Sequence, residues 1–101
     1  MRKSRWLAEL DAATTEKDVV NAARDFVALL TRDEVALLPR GCRPASPGSA
    51  KDINEWAVRL VQNCLVHHTD SSGFDLLQEV SDFFVMASAR LTELQHSSKH
   101  A

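Results

Sequence analysis

Apolar residues recur along three long segments of the chain at the three- and four-residue spacing of one helix face. The first two segments, about residues 16–30 and 50–67, each carry a single apolar stripe. The third, about residues 73–96, alternates spacings of three and four, which is the seam of a helical bundle. These seam positions are Leu77, Val80, Phe84, Ala87, Leu91 and Leu94. The pattern predicts three long helices.

Four Ser or Thr residues precede an acidic residue by three positions, which is the signature of a helix N-terminus. The pairs are Thr15 with Asp18, Thr31 with Glu34, Ser49 with Asp52, and Ser72 with Asp75. The second pair begins a short helix that ends before Pro39, and the apolar residues near Trp6 indicate another short helix at the N-terminus. The Thr31 cap and the apolar residues near Trp6 therefore add two short helices to the three long ones.

The sequence shows no alternating run that would predict a strand. We therefore predict an all-α fold, an antiparallel bundle of four to five helices with three long and one or two short. The whole chain, 1–101, is expected to form a single helical domain. It divides into an N-terminal helical hairpin over about 3–38, a Pro/Gly-rich loop over 39–48 and a C-terminal helical hairpin over about 49–97.

Composition and charge narrow the classes of function. The chain has 45% hydrophobic residues and a net charge of −2, so it should form a core but lacks the basic surplus of a nucleic-acid-binding protein. Its uncharged runs are far shorter than the ~18 residues that span a bilayer, so we expect no membrane insertion. Two cysteines beside an apolar core favour a reducing compartment, and we predict a cytoplasmic location.

The last predicted helix is longer than its neighbours, at roughly 36 Å against roughly 23–27 Å. Its run Phe83–Ala87 is apolar on all sides, which indicates burial on more than one side. Either this helix lies at the centre of the bundle or it also contacts a second copy of the chain. The second possibility predicts a homodimer whose contact residues are Phe83, Met86, Leu91 and Leu94.

Two groups of residues are candidates for chemistry. Cys64, His67 and His68 share one helix face, and a thiolate with two imidazoles can bind Zn²⁺. Cys42 lies between Arg40 and Arg43 in the loop, and neighbouring cations lower the pKa of a thiol, so Cys42 is a candidate reactive thiol. Both groups also fit structural roles, because free cysteines are frequently buried.

The sequence thus predicts a non-enzymatic protein-interaction module that self-associates through its last helix, with no cofactor. The alternative is a small metal-binding or thiol-dependent protein that uses Cys64, His67 and His68. A third possibility is a helical enzyme with a site between chains, lined by Arg24, Arg59 or Arg90, although each arginine also fits the polar face of its helix.

Overall fold

A computed structural model describes residues 2–38, 40–65 and 74–99 of the chain. Within these ranges the chain is an all-α bundle of five α-helices without a strand, which confirms the predicted fold class. Its elements are α1 (Arg2–Ala12), α2 (Glu16–Leu29), α3 (Arg32–Leu37), a 3₁₀ turn (Arg40–Cys42), α4 (Ala50–Arg59), a π-helix (Leu60–Leu65) and α5 (Phe74–Lys99).

Two of the predicted N-terminal caps form complete capping boxes. At α2 the Asp18 backbone N–H donates to Thr15 Oγ1 at 3.1 Å, and the Asp18 carboxylate accepts from the Thr15 N–H. Thr31 and Glu34 make the same reciprocal pair at α3. The Thr14 backbone N–H also donates to the Asp18 carboxylate, and this bond holds the pKa of Asp18 below its ordinary value of 3.8. Both caps therefore begin their helices as the spacing predicts.

The third cap differs from the predicted arrangement. Ser49 is the N-cap residue of α4, but its side chain accepts no capping hydrogen bond. Asp52 instead accepts from the Gly48 backbone N–H at 2.9 Å, one position earlier in the chain. The fourth predicted cap, at Ser72, lies outside the described residues.

The helix predicted over about 50–67 changes its geometry in the middle. It is α-helical only as far as Arg59 and continues as a π-helix from Leu60 to Leu65. A π-helix bonds each residue to the fifth along the chain, so the spacing of three and four no longer keeps side chains on one face. The predicted stripe is buried at Ile53, Ala57 and Leu60, whereas Val61 is exposed, and the side chains of Cys64 and Leu65 lie outside the described residues.

Helix α5 lies at the centre of the bundle, because α1, α2 and α4 all pack against it. Of its predicted seam, five residues are buried and Leu94 is half-buried. The rings of Phe26 and Phe83 stack with their centroids 4.2 Å apart, and Trp6 meets Phe83 edge-on at 5.2 Å. Three neighbouring helices from the same chain thus cover Phe83, Phe84 and Ala87 of the apolar run, whereas Val85 and Met86 remain exposed.

The predicted loop over 39–48 begins with the 3₁₀ turn, which packs against the π-helix. Cys42 and Pro47 are buried within this loop. The Arg24 guanidinium of α2 donates to the Pro47 carbonyl oxygen at 2.9 Å. The loop is therefore attached to the bundle at two places.

Candidate functional site

The four residues predicted to contact a second copy do not form one exposed surface. Phe83 and Leu91 are 0% and 2% exposed, Leu94 is half-buried, and Met86 is 41% exposed. The prediction is wrong for Phe83 and Leu91, because both lie in the core of their own chain. Helix α1 packs on this side of α5, where Trp6 meets Phe83, so a second copy has no access to these two side chains.

Arg90 fixes the end of α1 to α5. Its Nη2 atom donates to the Ala13 carbonyl oxygen at 2.7 Å, just beyond the C-terminus of α1, and its Nη1 atom forms an ion pair with Glu93 at 2.9 Å. Carbonyl groups at a helix C-terminus carry partial negative charge and lack partners within the helix, so a guanidinium suits this position. Arg90 thereby helps to keep α1 on α5.

An apolar groove remains exposed on the opposite side, between α4 with its π-helix and α5. Val58 is 54% exposed, and Val61 and Val85 are each 42% exposed. Together with Ala57, Gln62 and Ser88 they line a groove of about 290 Å³, which we call the valine groove. Apolar side chains that two helices expose side by side form a candidate contact surface.

Polar contacts fix the two walls of the valine groove. Ser88 Oγ on α5 donates to Asn54 Oδ1 on α4 at 2.6 Å, which ties the helices together beside the groove. Lys51, Glu55 and Arg59 line an adjoining cavity of about 660 Å³ that shares Val58 and Gln62 with the groove. The apolar strip is therefore bordered on α4 by charged residues of both signs.

The three arginines considered for an enzyme site each have a structural contact in their own chain. Arg24 donates to the Pro47 carbonyl, and Arg90 donates to the Ala13 carbonyl. The Arg59 guanidinium lies over the Trp56 ring, 4.9 Å from its centroid. The contacts give each arginine a role in packing.

Cys42 is 1% exposed, and its sulfur is disulfide-bonded. The predicted reactive thiol at Cys42 is therefore wrong for the oxidised chain, because no thiolate exists there and the side chain is enclosed. Free thiols are also the premise of the predicted cytoplasmic location, and the bond at Cys42 removes that premise. The location itself stays a prediction.

The predicted metal site falls largely outside what the structure describes. His67 and His68 belong to the range 66–73, and the side chain of Cys64 is likewise outside the description. Among the side chains that are described, no group of three or more His, Cys, Asp or Glu residues is arranged to hold a metal ion. The metal-binding alternative thus stays a prediction.

Periodicity alone does not indicate the valine groove, although the sequence carries a signal for it. Val58 and Val85 stand off the apolar stripes of their helices, and Val61 belongs to the predicted stripe but lies in the π-helix. An apolar residue off the stripe of an amphipathic helix marks an exposed apolar position, but it does not say which other helix contributes to the same surface.

Comparison with protein-family models, curated proteins and solved structures finds no match for this chain. Among the described helices, none combines the length and the apolarity needed to cross a lipid bilayer.

Proposed function

We propose that this chain is a non-enzymatic protein-interaction module that self-associates through the valine groove. The observation that carries the proposal is the exposure of Val58, Val61 and Val85 in one groove that joins α4 to α5. The last helix keeps the role predicted from the sequence, but it contributes a different face. Val85 replaces Phe83 and Leu91 as its contact residue, because those two are buried in the core.

The charges beside the groove favour a second copy of the chain as the occupant. In a two-fold interface the same surface meets itself, so residue i contacts residue j and residue j contacts residue i. Glu55 and Arg59 lie one helical turn apart on α4, on either side of Val58. Antiparallel packing of two α4 helices about this point would bring Glu55 of each copy to Arg59 of the other.

The size of the surface favours weak association. The apolar strip consists of three valines and a short polar border, so we expect it to bury less than the ~1,200 Å² of a stable interface. We therefore expect a dimer that forms in the range of tens to hundreds of micromolar, and a dissociation constant of ~100 µM corresponds to about −5.5 kcal/mol.

Sedimentation velocity between about 10 and 500 µM tests the proposal, because the range brackets the expected dissociation constant. The parent chain should show a weight-average mass that rises toward a dimer. Val58→Glu and Val85→Glu should each keep the chain monomeric, since each puts a charge into the groove. Leu37→Glu is the matched control, because Leu37 is a similarly exposed apolar residue on α3. It should leave the association unchanged.

Reversal of the charges at Glu55 and Arg59 tests whether a second copy of the chain binds at the valine groove. Glu55→Arg and Arg59→Glu should each weaken the dimer by bringing like charges together, and the double variant should recover most of the lost affinity. A parent chain that is strictly monomeric at about 100 µM would contradict the proposal, and so would an equal loss of association in Leu37→Glu. Failure of the double variant to recover would contradict the two-fold arrangement.

A further inference from the structure

The disulfide at Cys42 lies in a segment that has few attachments to the bundle. This segment, residues 31–49, contains α3, the 3₁₀ turn and the Pro/Gly-rich loop. Helix α3 has no buried residue of its own. Among the described residues of the segment, only Leu38, Cys42 and Pro47 are buried. The segment is therefore held to the rest of the molecule by a small number of contacts.

The attachment at Cys42 is a covalent bond, whereas Leu38 and Pro47 hold the segment only by noncovalent packing. The 3₁₀ turn that contains Cys42 packs against the π-helix of residues 60–65. Within these 101 residues Cys64 is the one other cysteine, and it belongs to that π-helical range. A bond from Cys42 to Cys64 would join the middle of the segment to the end of the fourth helix.

The remaining attachments are weaker. Arg43 donates to the Leu38 carbonyl at 3.0 Å, but this hydrogen bond lies within the segment and does not fix it to the bundle. The hydrogen bond from Arg24 to the Pro47 carbonyl attaches only the far end of the loop. If the disulfide is reduced, only noncovalent contacts hold the segment: the buried side chains of Leu38, Cys42 and Pro47, the partly buried Val35, and this hydrogen bond.

We propose that the disulfide of Cys42 is a redox-sensitive latch, with Cys64 as its second cysteine. In the oxidised chain it fastens residues 31–49 to the bundle, and in the reduced chain the segment opens and exposes Leu38 and the Cys42 thiol. Stability differs between parts of a protein, and segments with few buried contacts are the ones that open locally. The latch does not rest on the proposed self-association, although the π-helix that it joins also contributes Val61 to the valine groove.

The chemistry is a thiol–disulfide exchange with a small-molecule disulfide such as oxidised glutathione. One cysteine thiolate attacks the external disulfide, forms a mixed disulfide and releases one thiol. The second cysteine thiolate then attacks the mixed disulfide, which forms the internal bond and releases a second thiol. The two protons and two electrons of the cysteines end on the two released thiols, and a dithiol reductant reverses the exchange.

Peptide mapping tests the pairing. The protein, purified without reductant, is digested with trypsin after alkylation under denaturing conditions. Trypsin cleaves after Arg40, Lys51, Arg59 and Arg90, whereas the bond after Arg43 resists because Pro44 follows it. We expect peptide 41–51 joined to peptide 60–90, and the pair should separate on reduction. Alkylation of both cysteines without reductant would overturn the proposal.

Limited proteolysis of the native protein tests the latch. Reduction should accelerate cleavage after Arg40 at least about tenfold, because cleavage follows the population of the open segment. Cleavage after Lys51, within α4, is the internal control and should change less than about twofold. Cys42→Ala should be cleaved at the fast rate with or without reductant. An unchanged rate after Arg40, or an equal increase after Lys51, would overturn the latch.

Discussion

At the scale of single residues, the side-chain hydrogen bonds of this fold join some positions that are three residues apart and others that are many tens of residues apart. The capping boxes of Thr15 and Thr31 join residues three positions apart, so their spacing is visible in the sequence. Arg90 is different, because its hydrogen bond reaches Ala13 across 77 positions. The sequence shows Arg90 only as a polar residue of its helix. No local pattern indicates that its guanidinium meets the end of α1.

Substitution of Arg90 by Met measures that contact. Met keeps most of the apolar stem but removes the donor to the Ala13 carbonyl, so Arg90→Met should lower the free energy of unfolding by about 1–2 kcal/mol. Glu93→Gln is the control, since it removes only the exposed ion pair of Arg90 and should cost less than about 0.5 kcal/mol. Urea denaturation followed by circular dichroism measures both. Equal stability of Arg90→Met and the parent would show that the hydrogen bond does not hold α1.

At the scale of helices, periodicity identifies α2 and α5 because their apolar faces are continuous. The predicted stripe of α2 is buried at Val19, Val20, Ala23, Phe26 and Leu30. Periodicity does not indicate the change from α-helix to π-helix at Leu60 of the fourth helix. The assignment of Phe83 and Leu91 to a dimer surface fails for a related reason. The thin apolar face of α1 does not reveal that it covers the most apolar side of α5.

Two substitutions on α5 distinguish the covered side from the exposed one. Leu91→Glu puts a carboxylate into the core and should destabilise the fold by at least about 3 kcal/mol, since it combines lost packing with an unpaired buried charge. Met86→Glu, on the exposed side, should change stability by less than about 0.5 kcal/mol. Thermal unfolding measured by circular dichroism gives both values. A Leu91→Glu chain that stays folded and loses only self-association would restore the dimer surface first predicted from the sequence.

At the scale of the whole molecule, the two predicted hairpins share one core. Phe26 of the N-terminal half stacks on Phe83 of the C-terminal half, and Arg90 reaches back to α1. The sequence identifies the helices and the loop between the halves, but the spacing within a helix does not state which faces of different helices meet. The shared core and the valine groove both depend on which helix faces pack together, so neither could be predicted from the spacing of residues within one helix.

A shared core predicts that the two halves unfold together. The chain has one tryptophan in each half, Trp6 buried in α1 and Trp56 half-buried in α4, so each reports on its own half. Trp56→Phe leaves Trp6 as the fluorescent probe, and Trp6→Phe leaves Trp56. In each variant the urea midpoint from fluorescence should agree within about 0.2 M with the midpoint from far-ultraviolet circular dichroism, as a two-state transition requires.

The comparison is made within each variant, so a loss of stability caused by the substitution itself does not affect it. If the Trp6 signal changes at a lower urea concentration than the circular dichroism signal, α1 leaves α5 before the bundle unfolds. That result would contradict one cooperative unit, because Phe83 and Leu91 would then be uncovered while the other helices remain folded. Self-association through that side of α5 would become a property of the partly opened chain, whereas coincident transitions would keep that side covered and leave association to exposed surfaces such as the valine groove.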